Sequence, residues 1–219
     1  MNKLMMLLAA GSLLMVACTS APDADKANAS DAVQPTATAG DSLKIDLNNS
    51  VVNWVGTKQT GKHEGTFKIA DGVFTLERGN LKGGTFTIDV TSLNVTDLTG
   101  DEKGQLEGHL KSGDFFETEK FPTAKFEITS IAPYDAATAT SKLEGATHVI
   151  SGNLTLKGVT KNISFPAKVS MQDGTLSAQA DFNIDRTEWE MNYKGPNNPA
   201  DWFIKKEVNL KLDIKGGTM

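Results

Sequence analysis

Three histidines, one cysteine and the arginine at position 186 are the side chains from which this chain could build chemistry. His63, His109 and His148 are far apart in sequence. None stands at i, i+4 or at a short-loop spacing from another His or Cys, and there is no HExxH, so no metal site is read from spacing. No GxSxG nucleophile elbow and no glycine-rich phosphate loop occur, and the carboxylates fall mostly on outward strand positions. The pattern assigns no catalytic residue and no catalytic cofactor. His63 precedes Glu64 in a polar stretch and reads as a strand-end residue, while His148 reads as partly buried packing. His109 is the sharper case, because it shares an apolar stripe with Leu106 and Leu110 and is followed by Phe115 and Phe116. Its imidazole would either bond the oxygen of a ligand head group or satisfy a backbone carbonyl beneath a helix. Arg186 offers a parallel choice between a head-group contact and an ion pair with Asp185 or Glu188.

Cys18 is the only cysteine of 219 residues, and its surroundings explain it. Lys3 supplies a positive start, and Leu4 to Val16 is apolar apart from Gly11 and Ser12. That run is too short to span a bilayer but suits the core of a signal peptide. Met15-Val16-Ala17-Cys18 resembles a bacterial lipobox, with Met15 where Leu is usual. The resemblance implies a signal peptide over 1–17, lipidation of Cys18 and anchoring to a membrane. Thr19, rather than Asp, after the cysteine favours the outer over the inner membrane of a bacterial envelope, facing the periplasm.

Thr19 to Asp41 is rich in Ala, Ser, Thr, Asp and Pro and has no aromatics, so 18–41 reads as a lipidated cysteine with a flexible tether. As a coil it would hold the folded unit, 42–219, about 25–30 Å from the membrane. The chain carries 22 Lys+Arg and 27 Asp+Glu, interspersed, with a formal net charge of −5. No basic stripe exists to neutralise phosphates, which excludes a nucleic-acid partner.

The elements that must position these residues are strands. Val208, Leu210, Leu212 and Ile214 alternate with Asn209, Lys211 and Asp213, and similar alternation runs through Phe86–Val90, Ile163–Met171 and Ala178–Ile184. Asp71-Gly72, Arg78-Gly79-Asn80 and Asp173-Gly174 read as tight turns. Eight or nine one-sided strands predict an all-β fold, an antiparallel sheet closed into a barrel or folded as a sandwich. An eight-stranded barrel is either filled by side chains or holds one small ligand. Thr99-Gly-Asp-Glu102 has the form of a capping box and predicts a short helix that Gly113 would end, so a helix and aromatic corner fall near 101–117. Phe115 and Phe116 cannot both follow one strand face, and they are best placed closing one end of the barrel.

"HLKSGDFFETEKFPTAKFEI", "NWVGTKQTGKHEGTFKI", "ISGNLTLKGVTKNISFP" and "FNIDRTEW" together resemble the ordered motifs of the YceI-like family, over about Val51 to Ile214. The resemblance implies an eight-stranded antiparallel lipocalin-like barrel whose cavity takes a long isoprenoid lipid, of quinone or polyprenyl type, for carriage or storage. The residues it implies for lipid binding are Trp54, Phe67, Phe86, Ile88, His109, Leu110, Phe115, Phe116, Phe126, Leu154, Leu156, Phe165, Phe182, Ile184, Arg186 and Trp189. Glu190 departs from the family's pattern, and the Met191–Trp202 loop is individual to this chain. A ligand-free interaction module, and an enzyme using His109 on a lipid head, are the alternatives. A homodimer is left open.

Overall fold

The computed structural model describes residues 20–35, 39–195 and 203–217; Cys18 and the signal segment 1–17 lie outside the described residues. In chain order the elements are β1 (Asp25–Lys26), β2 (Ser30–Asp31), β3 (Asp41–Lys44), β4 (Val51–Lys58), β5 (Gly61–Glu77) and β6 (Asn80–Val95). Helix α1 (Gly100–Lys111) follows, then β7 (Thr123–Pro133), β8 (His148–Leu156), β9 (Val159–Gln172), β10 (Thr175–Asp185), a 3-10 turn (Arg186–Trp189) and β11 (Ile204–Gly216).

From β4 to β11 each strand pairs antiparallel with its successor, and β11 returns to β4, which closes an eight-stranded barrel. The period-two pattern dictates this closure, because every strand has one apolar face and a closed sheet gives all of them a common interior. Register keeps the apolar residues level: Phe86 faces Phe126, which faces Leu154, and Leu212 faces Val52. Arg78-Gly79, Lys157-Gly158 and Asp173-Gly174 each carry two successive positive φ values. Such turns match the right-handed twist of the strands they join. Asp71-Gly72 is not a turn. It lies inside β5 beside a register shift, and Gly72 lets the backbone pass close to Ile45 and Phe86.

Gly152 on β8 is a second such approach, since a Cβ there would collide with the Phe126 ring and come within 2.9 Å of Glu127 O. Gly152→Val is expected to destabilise the barrel by roughly 2–3 kcal/mol, readable in a urea melt. An unchanged midpoint would mean that the Phe126 ring moves aside freely.

Two helix-end expectations are corrected. Thr99 is the N-cap residue of α1 but makes no side-chain cap bond, and the helix stops at Lys111, before Gly113. Ser112 ends it, both its N–H and its hydroxyl donating to His109 O, at 3.1 and 2.8 Å.

The tether reading is also corrected, for residues 20–35. β9 and β10 pair only near their hairpin, between Thr175–Gln179 and Lys168–Gln172, and beyond that they splay. The N-terminal segment fills the gap: β1 pairs parallel with β10 at Phe182 and Asn183, and β2 pairs antiparallel with β9 at Lys161 and Asn162. Asn side chains read its backbone. Asn183 donates to Pro22 O (2.9 Å), and Asn153 both donates to Val33 O (2.7 Å) and accepts from Val33 N–H (3.0 Å). Asp25 accepts from the Ser141 hydroxyl at 2.6 Å, and Ala27 is buried. Composition does not reveal this docking, because it depends on backbone pairing and on receptor side chains elsewhere, not on large apolar residues in the segment.

Candidate functional site

Strand direction puts the β4–β5 and β8–β9 hairpins, α1, the 3-10 turn and the start of β11 at one end of the barrel. A tunnel of about 270 Å³ runs inside from that end, and apolar side chains make up nearly all of its wall. Among its lining residues are Trp54, Phe67, Phe86, Ile88, His109, Leu110, Phe115, Phe116, Phe126, Leu154, Leu156, Phe165, Phe182, Ile184 and Arg186. Strand alternation brings the strand members of this set to one interior.

The rings are ordered. Phe74, Phe86, Phe126, Phe165 and Phe182 form a ladder across the wall, with centroid separations from 4.1 Å (Phe165–Phe182, stacked) to 6.4 Å (Phe86–Phe126). Offset and edge contacts of this kind fix ring positions while leaving the centre open. Phe116 packs edge-on to Phe67 inside the barrel at 5.4 Å, whereas Phe115 packs with His109 (5.2 Å) and Tyr193 (5.5 Å). The two consecutive rings thus divide, one turned inward to the wall and one locked into the corner.

Trp189 is the exception among the expected residues. It is fully buried but lies outside the tunnel wall, and its indole N–H donates to Leu154 O at 3.0 Å. It ties the 3-10 turn to β8. Trp189→Phe is expected to cost about 1–2 kcal/mol in a denaturant melt without altering occupancy of the tunnel. A variant that kept full stability would show the hydrogen bond to be dispensable.

Arg186 borders the tunnel but makes no ion pair with Asp185 or Glu188, the second of its sequence alternatives. Only 3% exposed, it donates to the backbone carbonyls of Lys205 (3.1 Å), Met191, Tyr193 (3.0 Å) and Ile204 (3.3 Å). Burial pulls its guanidinium below the ordinary pKa, and Asp185 opposes that shift. Asp185 itself pairs with Lys206 at 2.7 Å. Burial would raise the Asp185 carboxyl, but Lys206 and Thr187 outweigh it and hold the group below the usual carboxylate range. His109 bonds the carboxylate of Asp114 through Nε2 at 2.9 Å, not a carbonyl under the helix.

A group that sequence reasoning missed stands at the mouth. His63 Nδ1 meets Asp97 Oδ2 at 2.8 Å and His63 Nε2 meets Lys58 Nζ at 3.2 Å. Asp97 also accepts from Glu64 N–H at 2.9 Å. Its distance from His63 in sequence hides the pairing. Among the described residues no three of His, Cys, Asp and Glu converge as a metal would require.

Residues 43–216 match the YceI-like domain. UPF0312 protein plu2095 of Photorhabdus laumondii is 37% identical over 157 residues, covering 69% of this chain and 72% of that protein. Protein YceI of Salmonella arizonae is 36% identical over 155 residues with the same coverage. Among solved structures, Burkholderia cenocepacia BcnA superposes with a TM-score of 0.62 at 21% identity, covering 78% of this chain and 98% of that one. A polyisoprenoid binding domain from Saccharophagus degradans, implicated in plant cell wall breakdown, gives 0.59 at 18% identity, covering 81% and 98%. With the barrel matched almost end to end and relatives more than a third identical, the chain belongs to the YceI-like family.

Proposed function

We propose that this protein binds a long isoprenoid lipid, of quinone or polyprenyl type, in its tunnel and carries or stores it at a bacterial envelope membrane to which Cys18 is lipid-anchored. The apolar tunnel carries the reading. A barrel of this size can be filled by its own side chains, yet here the ring ladder leaves a continuous lumen with almost no polar wall. Such a lumen rewards an alkyl or isoprenoid chain leaving water by about 0.8 kcal/mol per buried CH₂. The polyisoprenoid binding named for the Saccharophagus relative supports the same ligand class.

The anchor follows from the lipobox resemblance, and Thr19 points to the outer membrane. Because the chain is docked from Pro22 onward, only Thr19, Ser20 and Ala21 separate Cys18 from the barrel wall. At full extension they reach about 14 Å, so an anchored barrel would sit against its membrane rather than on a long leash.

Mass spectrometry of an organic extract of the purified full chain tests the ligand. A stoichiometric isoprenoid is the expected result. Lipid-free protein that also takes up no added quinone or polyprenol would overturn the carrier reading.

A further inference from the structure

Beside the tunnel mouth lies a second hollow of different character. Lys58, His63, Glu102, Gln105 and His109 line it, with Leu98 and Leu106. Lys58, His63, Leu106 and His109 border both spaces, so the polar hollow adjoins the apolar tunnel at its mouth. An apolar lumen with a polar chamber beside its mouth has the layout of an amphiphile's binding site.

The chamber's donors are arranged by hydrogen bonds. Asp97, held ionised by its bonds to Glu64 N–H and His63, accepts the Nδ1 proton of His63. The imidazole then turns its Nε2 lone pair to the Lys58 ammonium at 3.2 Å. An ammonium has three protons, and this contact uses one. Among the described residues no other acceptor takes the remaining two, which can serve a ligand oxygen. The charges around the chamber select which oxygen. Against Lys58 stand Glu102 in the lining and Asp97 behind His63, and His109 is already paired with Asp114. A phosphate or diphosphate would bring two or more negative charges beside these carboxylates, with Lys58 the one lysine in the hollow's lining to offset them. A neutral carbonyl would accept from the ammonium with no such repulsion.

We infer that this chamber is a head-group subsite for an uncharged carbonyl oxygen, contacted by Lys58, with His63 and Asp97 as positioning residues. The assignment rests on the lipid-binding reading of the tunnel and deepens it. It also separates the roles of the two histidines: His63 orients the ligand-contacting cation, while His109 is held by Asp114 in the aromatic corner.

The test compares three ligands with matched tails on the full chain: geranylgeranyl benzoquinone, geranylgeranyl phosphate and the head-less hydrocarbon phytane. The quinone should bind about tenfold more tightly than phytane, and the phosphate no more tightly than the quinone. Lys58→Met should erase the quinone's advantage and leave phytane affinity unchanged. His63→Gln should reduce that advantage partly, and Lys58→Arg should restore much of it. A thermal melt of each variant establishes that the barrel is intact. Equal losses for all three ligands in Lys58→Met would overturn the subsite while leaving the tunnel reading standing, as would a preference of the unmodified protein for the phosphate. Failure of every ligand to bind the unmodified protein would overturn both.

Discussion

Arg186→Met is expected to lower stability by roughly 3 kcal/mol, which for a chain of this size is a fall in melting temperature of about 6–12 °C. Two effects compete. Removing a buried cation relieves its desolvation, and a neutral residue of similar length sometimes gains from this. Here the relief is the smaller term, because among the described residues the guanidinium has no carboxylate in its grip and instead serves four backbone carbonyls. Met offers them nothing, and each buried carbonyl left without a donor costs about 1–3 kcal/mol, reduced where water reaches the rim. The carbonyls belong to the start of β11 and to the turn after Trp189, so the substitution unpins the segment beside Phe115, over whose ring Arg186 lies at 5.9 Å. Lys at this position keeps the charge but not the planar fork, and should recover less than half the loss. Differential scanning calorimetry of the three proteins decides it. A Met variant that melts with the parent would show that these carbonyls find other donors.

Leu154→Trp is expected to reduce bound lipid at least tenfold while changing the melting temperature little. Leu154 faces Phe126 across the β7–β8 ladder and borders the tunnel. In a close-packed core the larger side chain would be strained and cost about 1–3 kcal/mol or more. Where about 270 Å³ of apolar space lies next to it, the indole has room to enter. It then fills the volume a lipid would take. Lipid content and melting temperature measured on the same preparation separate the cases. Lost lipid with retained stability fits the carrier. A steep loss of stability instead marks a filled interior, and wild-type lipid content in a stable variant would place the ligand elsewhere.

The barrel was legible because each of its strands declares a face. The alternation of Val208, Leu210, Leu212 and Ile214 is enough to orient β11, and similar runs orient its neighbours. Inward positions follow from it, which is why the aromatic lining from Phe67 to Phe182 could be named by residue. Trp189 stands on the motif match and not on alternation. The inward positions of β10 are even-numbered, among them Ala180, Phe182 and Ile184, and the 3-10 turn that begins at Arg186 seats Trp189 against β8, outside the tunnel wall. Arg186 stands out in the sequence, yet its partners are carbonyls, and backbone groups leave no trace in a residue pattern. The Lys58–His63–Asp97 chain was invisible because β5 and the segment after β6 are brought together only by the β5–β6 pairing. Sequence periodicity reports which way a side chain points, not whom it meets.

The N-terminal strap has a consequence for the order in which the molecule forms. Its bonds to Asn153 and Asn183 link residues 120 and 161 apart in sequence, among the most distant pairings in the chain. It is the first described segment to be synthesised, and β9 and β10 do not exist until the chain is three-quarters made. Loop closure over such separations is slow and is rewarded only after both partners are in place. Barrel assembly is therefore expected to start from the local hairpins, with the long-range closures, β11 on β4 and the strapped seam between β9 and β10, formed late. The strapped part of that seam is held by fewer pairings than the β11–β4 ladder. By the same logic it is the first to reopen, which makes amide protons at this seam the ones expected to exchange earliest among the strand residues of the barrel.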